Sequence, residues 1–180
     1  MNKRERIKTV FLCVVFICYI LLLMKILFLS RISELFDGQR TLFRSVNLIP
    51  FYSITEYITS NSMNIKRFAF SNVVGNIVIF IPLGVYLSLL KKNKRTITNL
   101  LIIFIVSLFV EIIQGILGIG ISDIDDVILN SLGGWIGILG YKFSLFILRD
   151  EKKVSTAVTV LSATIGLPVI LFFLFMKMRF

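Results

Sequence analysis

The residues of this sequence able to do chemistry are few and lie in apolar surroundings: Asn72 and Asn76, Glu111 and Gln114, then Asp123, Asp125, Asp126 and Asn130, with Asn47 upstream. There is no histidine, which removes the usual neutral-pH base and the commonest metal ligand, and with them Ser–His nucleophilic catalysis. The two cysteines, Cys13 and Cys18, share one apolar run without the CxxC spacing of a zinc or redox site. They read as lipid-buried fillers. Carboxylates and amides remain. A carboxylate can hydrogen-bond a ligand, act as general acid or base, or offer a hard oxygen to Mg²⁺ or Ca²⁺. The acidic segment lacks the EF-hand spacing, and neither a metal nor another cofactor is expected.

The elements that carry these residues follow from composition. Of the 180 residues, 57% are hydrophobic and only 17% charged, whereas soluble domains run near half apolar and a quarter charged. Most of the chain must have lipid as its solvent. A cytosolic enzyme, a disulfide scaffold and a disordered regulator are thereby excluded. Runs long enough to cross a bilayer, about 20 apolar residues, occur at about Val10 to Leu29, Phe70 to Leu90, Ile97 to Leu117, Val127 to Leu148 and Val154 to Met176. The fold class is therefore all-α, a polytopic membrane bundle of about five transmembrane helices. Pro82 and Pro168 fall inside spans, where a local kink is tolerated. The first run lacks a small-residue cleavage site before Arg31 and reads as an uncleaved anchor.

The net charge of +10 comes in short clusters between apolar runs, without the interleaved aromatic platform of a single-strand binder. No nucleic acid is expected. Lys3, Arg4, Arg6 and Lys8, then Lys91, Lys92, Lys94 and Arg95, then Lys142, Arg149, Lys152 and Lys153 fall on one side of the spans. By the positive-inside rule this gives N-in, C-out, with Lys25 near the outer end of the first span, able to snorkel. The stretch from Ser30 to Ala69 is then one long outer loop, whose Leu48–Tyr52 portion suits the headgroup region or a cover over the bundle. The divisions expected are 1–45 for the anchor helix and start of the outer loop, 46–148 for the core, and 149–180 for the C-terminal span.

That topology gathers the polar residues. Asn72 and Asn76 lie at the outer end of the second span, Glu111 and Gln114 in the outer half of the third, and Asp123, Asp126 and Asn130 at the outer mouth of the fourth. An intramembrane polar residue is expensive and marks a functional site by default. At 100° per residue each set shares a helix face, and the last continues into Gly134 and Gly137, whose small size turns that face towards protein. Glu111 lies about 10 Å from its helix end, seven residues before Gly118 at 1.5 Å per residue; it carries a proton or meets a hydrogen-bond donor. Ser122 with Asp125 three residues on reads as a capping box, and the asparagines and Gln114 serve equally as interhelical hydrogen bonds. The Gly133–Gly137 spacing suits packing within the chain or between copies, so the oligomeric state stays open.

The order and spacing of Asn47-Leu48-Ile49-Pro50-Phe51, then Asn72, Gly75, Asn76, Phe80, Pro82, Leu83 and Gly84, then Glu111 and Gln114, then Asp123-Ile124-Asp125-Asp126, Asn130 and Gly133 resemble the VanZ-like family over about Val46 to Tyr141. Members often carry an arginine shortly before the acidic segment; here the stretch is Gly118-Ile119-Gly120-Ile121-Ser122. The resemblance implies a multi-pass protein of the bacterial cell membrane, linked to the cell envelope and to tolerance of teicoplanin, a glycopeptide with an acyl tail. The leading expectation is an outer-leaflet polar pocket that binds an envelope lipid or such a lipophilic glycopeptide. Glu111, Gln114, Asp123, Asp126, Asn130, Asn72, Asn76 and Asn47 are its candidate residues, with Asn47–Phe51 covering or gating it. The alternative is an intramembrane enzyme acting on a lipid-linked cell-wall precursor, with Glu111 or Asp126 as acid or base. Proton-coupled transport is disfavoured, since no carboxylate continues the relay into the inner half of a span.

Overall fold

A computed structural model describes residues 3–29, 46–91, 95–118 and 122–176. Five helices are long and apolar enough to cross a membrane: Lys3–Phe28, Met63–Leu90, Thr96–Leu117, Ile124–Leu148 and Glu151–Phe175. We label the α-helical elements α1 (Lys3–Met24), α2 (Tyr52–Thr59), α3 (Met63–Leu90), α4 (Thr96–Leu117), α5 (Ile124–Leu148), α6 (Glu151–Leu161) and α7 (Leu167–Phe175), and the two-residue strands β1 (Val46–Asn47) and β2 (Ser122–Asp123). The chain divides into two compact units, one of Met1–Arg40 with Phe143–Phe180, the other of Thr41–Lys142.

The second span begins seven residues earlier than hydropathy suggests. The expected outer loop lies partly outside the described residues, at 30–45, and the rest is ordered: β1, then α2, then the opening turns of α3. Met63 to Ala69 holds neither glycine nor proline and is built of ordinary helix formers. Lys66 and Arg67 lower its hydropathy without lowering its helicity.

In the unit of the first and last spans, α1 buries Leu12, Val15, Tyr19, Leu22 and Leu23, a 3–4 spacing that makes one stripe. The first and fifth spans run in the same direction, as an odd number of crossings requires. At one end Lys8 Nζ donates to Thr156 Oγ1 at 2.9 Å. At the other, Lys25 Nζ donates to the carbonyls of Phe173, Leu174 and Met176 at 2.8, 2.6 and 2.9 Å. Lys25 neutralises the carbonyls that a helix C-terminus leaves without partners, where the helix dipole also favours a cation. Pro168 lacks the N–H that would bond Thr164, and the turn before it, Ser162–Gly166, widens into a π-helix.

In the other unit, α3 and α5 touch backbone to backbone. A methyl group at Gly133 would stand 2.0 Å from the Ile77 carbonyl oxygen, one at Gly137 2.1 Å from that of Ile81, and one at Gly84 2.0 Å from that of Gly134. The glycine stripe thus serves packing within the chain. Helix α4 completes the unit with the buried stripe Asn99, Ile103, Ser107, Val110, Glu111 and Gln114. Asn99 Nδ2 donates to Ser88 Oγ of α3 at 3.4 Å and Asn130 Nδ2 of α5 to Ser107 Oγ at 2.9 Å. Gly137→Val is expected to destabilise the protein by about 1–3 kcal/mol through overpacking. Gly140→Ala, in a helix interior where nothing lies within 4 Å, should not destabilise and should gain about 0.4–1 kcal/mol. Thermal unfolding in detergent, with size-exclusion chromatography to follow oligomeric state, checks both.

Candidate functional site

The site is built where α5 begins. The Asp123 carboxylate accepts the Asp125 backbone N–H at 3.0 Å, so Asp123 caps α5 with its side chain. The expected Ser122–Asp125 capping box does not form. Ser122 Oγ instead donates to the Glu111 carbonyl at 3.2 Å, and the Asp125 carboxylate accepts the backbone N–H of Phe51, 74 residues away. A short-range cap was the simpler reading because nothing local in the sequence marks so distant a partner.

Glu111 meets its donor in the returning chain: its Oε2 accepts the Asp123 N–H at 2.9 Å. With the Ser122 bond, one residue of α4 holds both residues of β2. Asp126 faces α3, where Oδ1 accepts from Asn72 Nδ2 at 3.2 Å and from Asn76 Nδ2 at 2.5 Å. Asn72 and Asn76 are one turn apart on one face, so a single carboxylate oxygen gathers both. Each of these bonds has a neutral donor, an amide or a hydroxyl.

The segment upstream of α2 closes over this cluster. β1 and β2 pair in parallel, Val46 with Ser122 and Asn47 with Asp123. Asn47 Nδ2 donates to Asp123 Oδ1 at 3.3 Å, and Asn47 Oδ1 accepts the Ile49 N–H at 3.2 Å. Phe51, whose N–H reaches Asp125, has φ of 67°, a left-handed conformation that disfavours a bulky side chain. Its carbonyl accepts from Thr55 N at 2.9 Å, opening α2.

Of the expected residues, Asn47, Asn72, Asn76, Glu111, Asp123 and Asp126 converge at one end of this unit. Gln114 is buried beside Glu111 on the α4 stripe. Asn130 sits one turn below Asp126 and turns to Ser107 instead; its Oδ1 is buried without a hydrogen-bond partner. Asp125, expected as a cap, joins the network through Phe51, and Ser107 joins it unforeseen. Ser107 was legible in principle, since it stands four residues before Glu111 on the same face. The groups are enclosed rather than open, with Glu111 4%, Asp125 1% and Asp126 3% exposed. Among the described residues no three acids or cysteines are grouped to hold a metal ion.

With this geometry in view, the comparisons are specific. The VanZ/LLP1 family model matches residues 16–148, a range that takes in the second half of the first span as well as the whole network. The chain belongs to this family. It is 37% identical over 109 residues to Protein VanZ of Enterococcus faecium, an alignment covering 61% of this chain and 60% of that protein. It therefore spans about three-fifths of that relative's length. No solved structure matches it. Family membership and the five apolar helices make this a multi-pass membrane protein.

Asp126→Leu leaves the Asn72 and Asn76 amides without their carboxylate, and a buried unmet donor costs about 1–3 kcal/mol. Asn76→Leu removes one of those donors, so the double variant should lose less stability than the two single losses added, with a coupling of about 0.5–3 kcal/mol. A double-mutant cycle by thermal unfolding measures it.

Proposed function

We propose that this enclosed cluster is a binding site for the polar part of an envelope amphiphile, an envelope lipid or a lipid-tailed glycopeptide such as teicoplanin, and that through it the protein affects glycopeptide tolerance. One observation carries the reading: three helices deliver buried carboxylates and amides to one depth, under a cover tied down by few bonds. Packing alone has no need of Glu111, Asp123, Asp125 and Asp126 at one end of a unit that is otherwise apolar, because a carboxylate inside a membrane protein is expensive.

The cover is the moving part in this reading. Asn47–Phe51 is held by the side chains of Asp123, the cap of α5, and Asp125, in its first turn, and by a two-residue strand pairing. The αL conformation at Phe51 stores about 1–2 kcal/mol that release of the segment returns. Leu48, Ile49, Phe51 and Tyr52 are 71%, 65%, 55% and 49% exposed, which suits a segment lying among lipid head groups. With the N-terminus cytoplasmic, as the basic residues predict, that layer is the outer leaflet, where an extracellular glycopeptide arrives. A ligand that displaces the cover exchanges the Asn47 and Phe51 donors for its own hydroxyl, amide or amine groups. The name of the Enterococcus faecium relative supports the choice of drug.

The test is teicoplanin susceptibility in a host where the wild-type chain raises tolerance, with variants matched for membrane abundance. Glu111→Ala and Asp125→Asn should each abolish most of the gain. Purified wild type in nanodiscs should bind teicoplanin, and Asp125→Asn should weaken that binding about ten-fold or more, the effect of losing a charge-assisted hydrogen bond of about 1.5–3 kcal/mol. Unchanged tolerance with both variants at wild-type abundance refutes the reading.

A further inference from the structure

The unit of the first and last spans carries charge at one end that no role assigned so far uses. Lys8 bonds Thr156 and Lys25 bonds the Phe173 carbonyl, and each pair is 148 residues apart in the chain. The first and last spans therefore lie parallel in one register along their length. Four residues before Lys8 and Thr156, at that same offset, stand Arg4 and Lys152. Four residues turn a helix through about 400°, so each shares a face with the residue it precedes. Arg4 and Lys152 thus stand across from one another, one turn and about 6 Å nearer the starts of α1 and α6.

Both are exposed, and among the described residues neither makes an ion pair. The nearby acids are engaged elsewhere. Glu5 Oε1 pairs with Lys8 Nζ at 3.1 Å, and the Asp150 carboxylate accepts the Lys152 backbone N–H at 2.8 Å as the cap of α6. Glu151 is turned about 100° around the helix from Lys152. Lys3, Arg6 and Lys153 are exposed as well; Lys3 and Arg6 are turned about 140° and 160° from Lys8, away from the pair. Lys3, Arg4, Arg6, Lys8, Lys152 and Lys153 thus face only Glu5, Asp150 and Glu151, at a helix end whose dipole disfavours cations. The excess calls for an anion from outside the chain. Ile7 and Val10 are 61% and 63% exposed, so the lipid-facing surface of α1 begins within two turns of Arg4, and the pair sits at head-group level.

We propose that Arg4 and Lys152 hold the phosphate of an anionic glycerophospholipid where α1 and α6 enter the bilayer. Arginine offers phosphate a planar fork of donors and lysine a compact charge, and here the two come from different helices fixed in register. A zwitterionic head group brings its own ammonium into the same positive field and gains less. This end of the unit is the one the basic clusters predict to be cytoplasmic, where anionic lipid creates a negative surface potential. The site lies within one unit, and it stands whether or not the polar cluster binds a glycopeptide.

Native mass spectrometry of the full chain, with phosphatidylglycerol and phosphatidylcholine of identical acyl chains, tests the assignment. Wild type should retain phosphatidylglycerol at least about five-fold better than phosphatidylcholine, the contribution of one basic residue near a lipid surface. Arg4→Gln combined with Lys152→Gln, both at exposed positions, should bring the two lipids level with circular dichroism unchanged. Lys66→Gln combined with Arg67→Gln removes the same charge from the start of α3 and should leave the preference as it is. Equal retention of the two lipids by wild type overturns the proposal, as does a preference that survives the loss of Arg4 and Lys152. Equal loss in both double variants overturns it too, because net charge alone then accounts for the selectivity.

Discussion

A polar group inside an apolar helix has no water to turn to, and its partner must come from protein. In the unit of residues 41–142 that requirement sets the packing. The Asp126 carboxylate is short, as are the amides of Asn72 and Asn76, and they meet only because the backbones of α3 and α5 are in contact. The glycines at 84, 133 and 137 allow that approach; a side chain at any of them would drive the helices apart and strand the carboxylate. Close packing and polar pairing are one design, because each removes the penalty the other would otherwise leave.

The acidic residues then act in sequence along the chain. Glu111 of α4 holds the returning turn through Asp123 N–H and Ser122 Oγ. Asp123, so placed, caps α5 and takes Asn47. Asp125, raised by the first turn of α5, takes Phe51. Residues 122–123, the start of α5 and the segment before α2 are therefore tied together by three carboxylates, those of Glu111, Asp123 and Asp125. The same clustering explains why a mid-helix glutamate is retained at a depth where capping offers no reason for it.

Much of this was legible in advance. Five apolar runs became five helices, and 100° periodicity placed Asn72 with Asn76, and Asp126 with Asn130 and the glycines, on shared faces. The start of α3 was not legible from hydropathy, because Lys66 and Arg67 are invisible to an apolar window yet perfectly helical. Asp125 was misread since its partner is a backbone N–H 74 residues upstream, and no local pattern encodes a contact of that range. The partners of Lys25 were illegible for a related reason: the carbonyls it meets belong to a helix 148 residues later. Spacing predicts which residues share a face. It does not predict which face of which element comes to meet them.

The helix contacts around the polar cluster differ in kind from those of the segment before α2. Separation of α3 from α5 would break three backbone-to-backbone approaches at once and leave cavities where no side chain can follow, since glycine has none to move. Rotation of α5 would carry Asp126 away from both asparagines and Asn130 away from Ser107 together. The cover, by contrast, is joined through a short strand pairing and individual bonds to Asp123 and Asp125, and its Phe51 backbone is held where a bulky residue does not rest by preference. The Asn47–Phe51 segment is thus joined to the cluster by backbone and side-chain hydrogen bonds, and the helices by backbone contact.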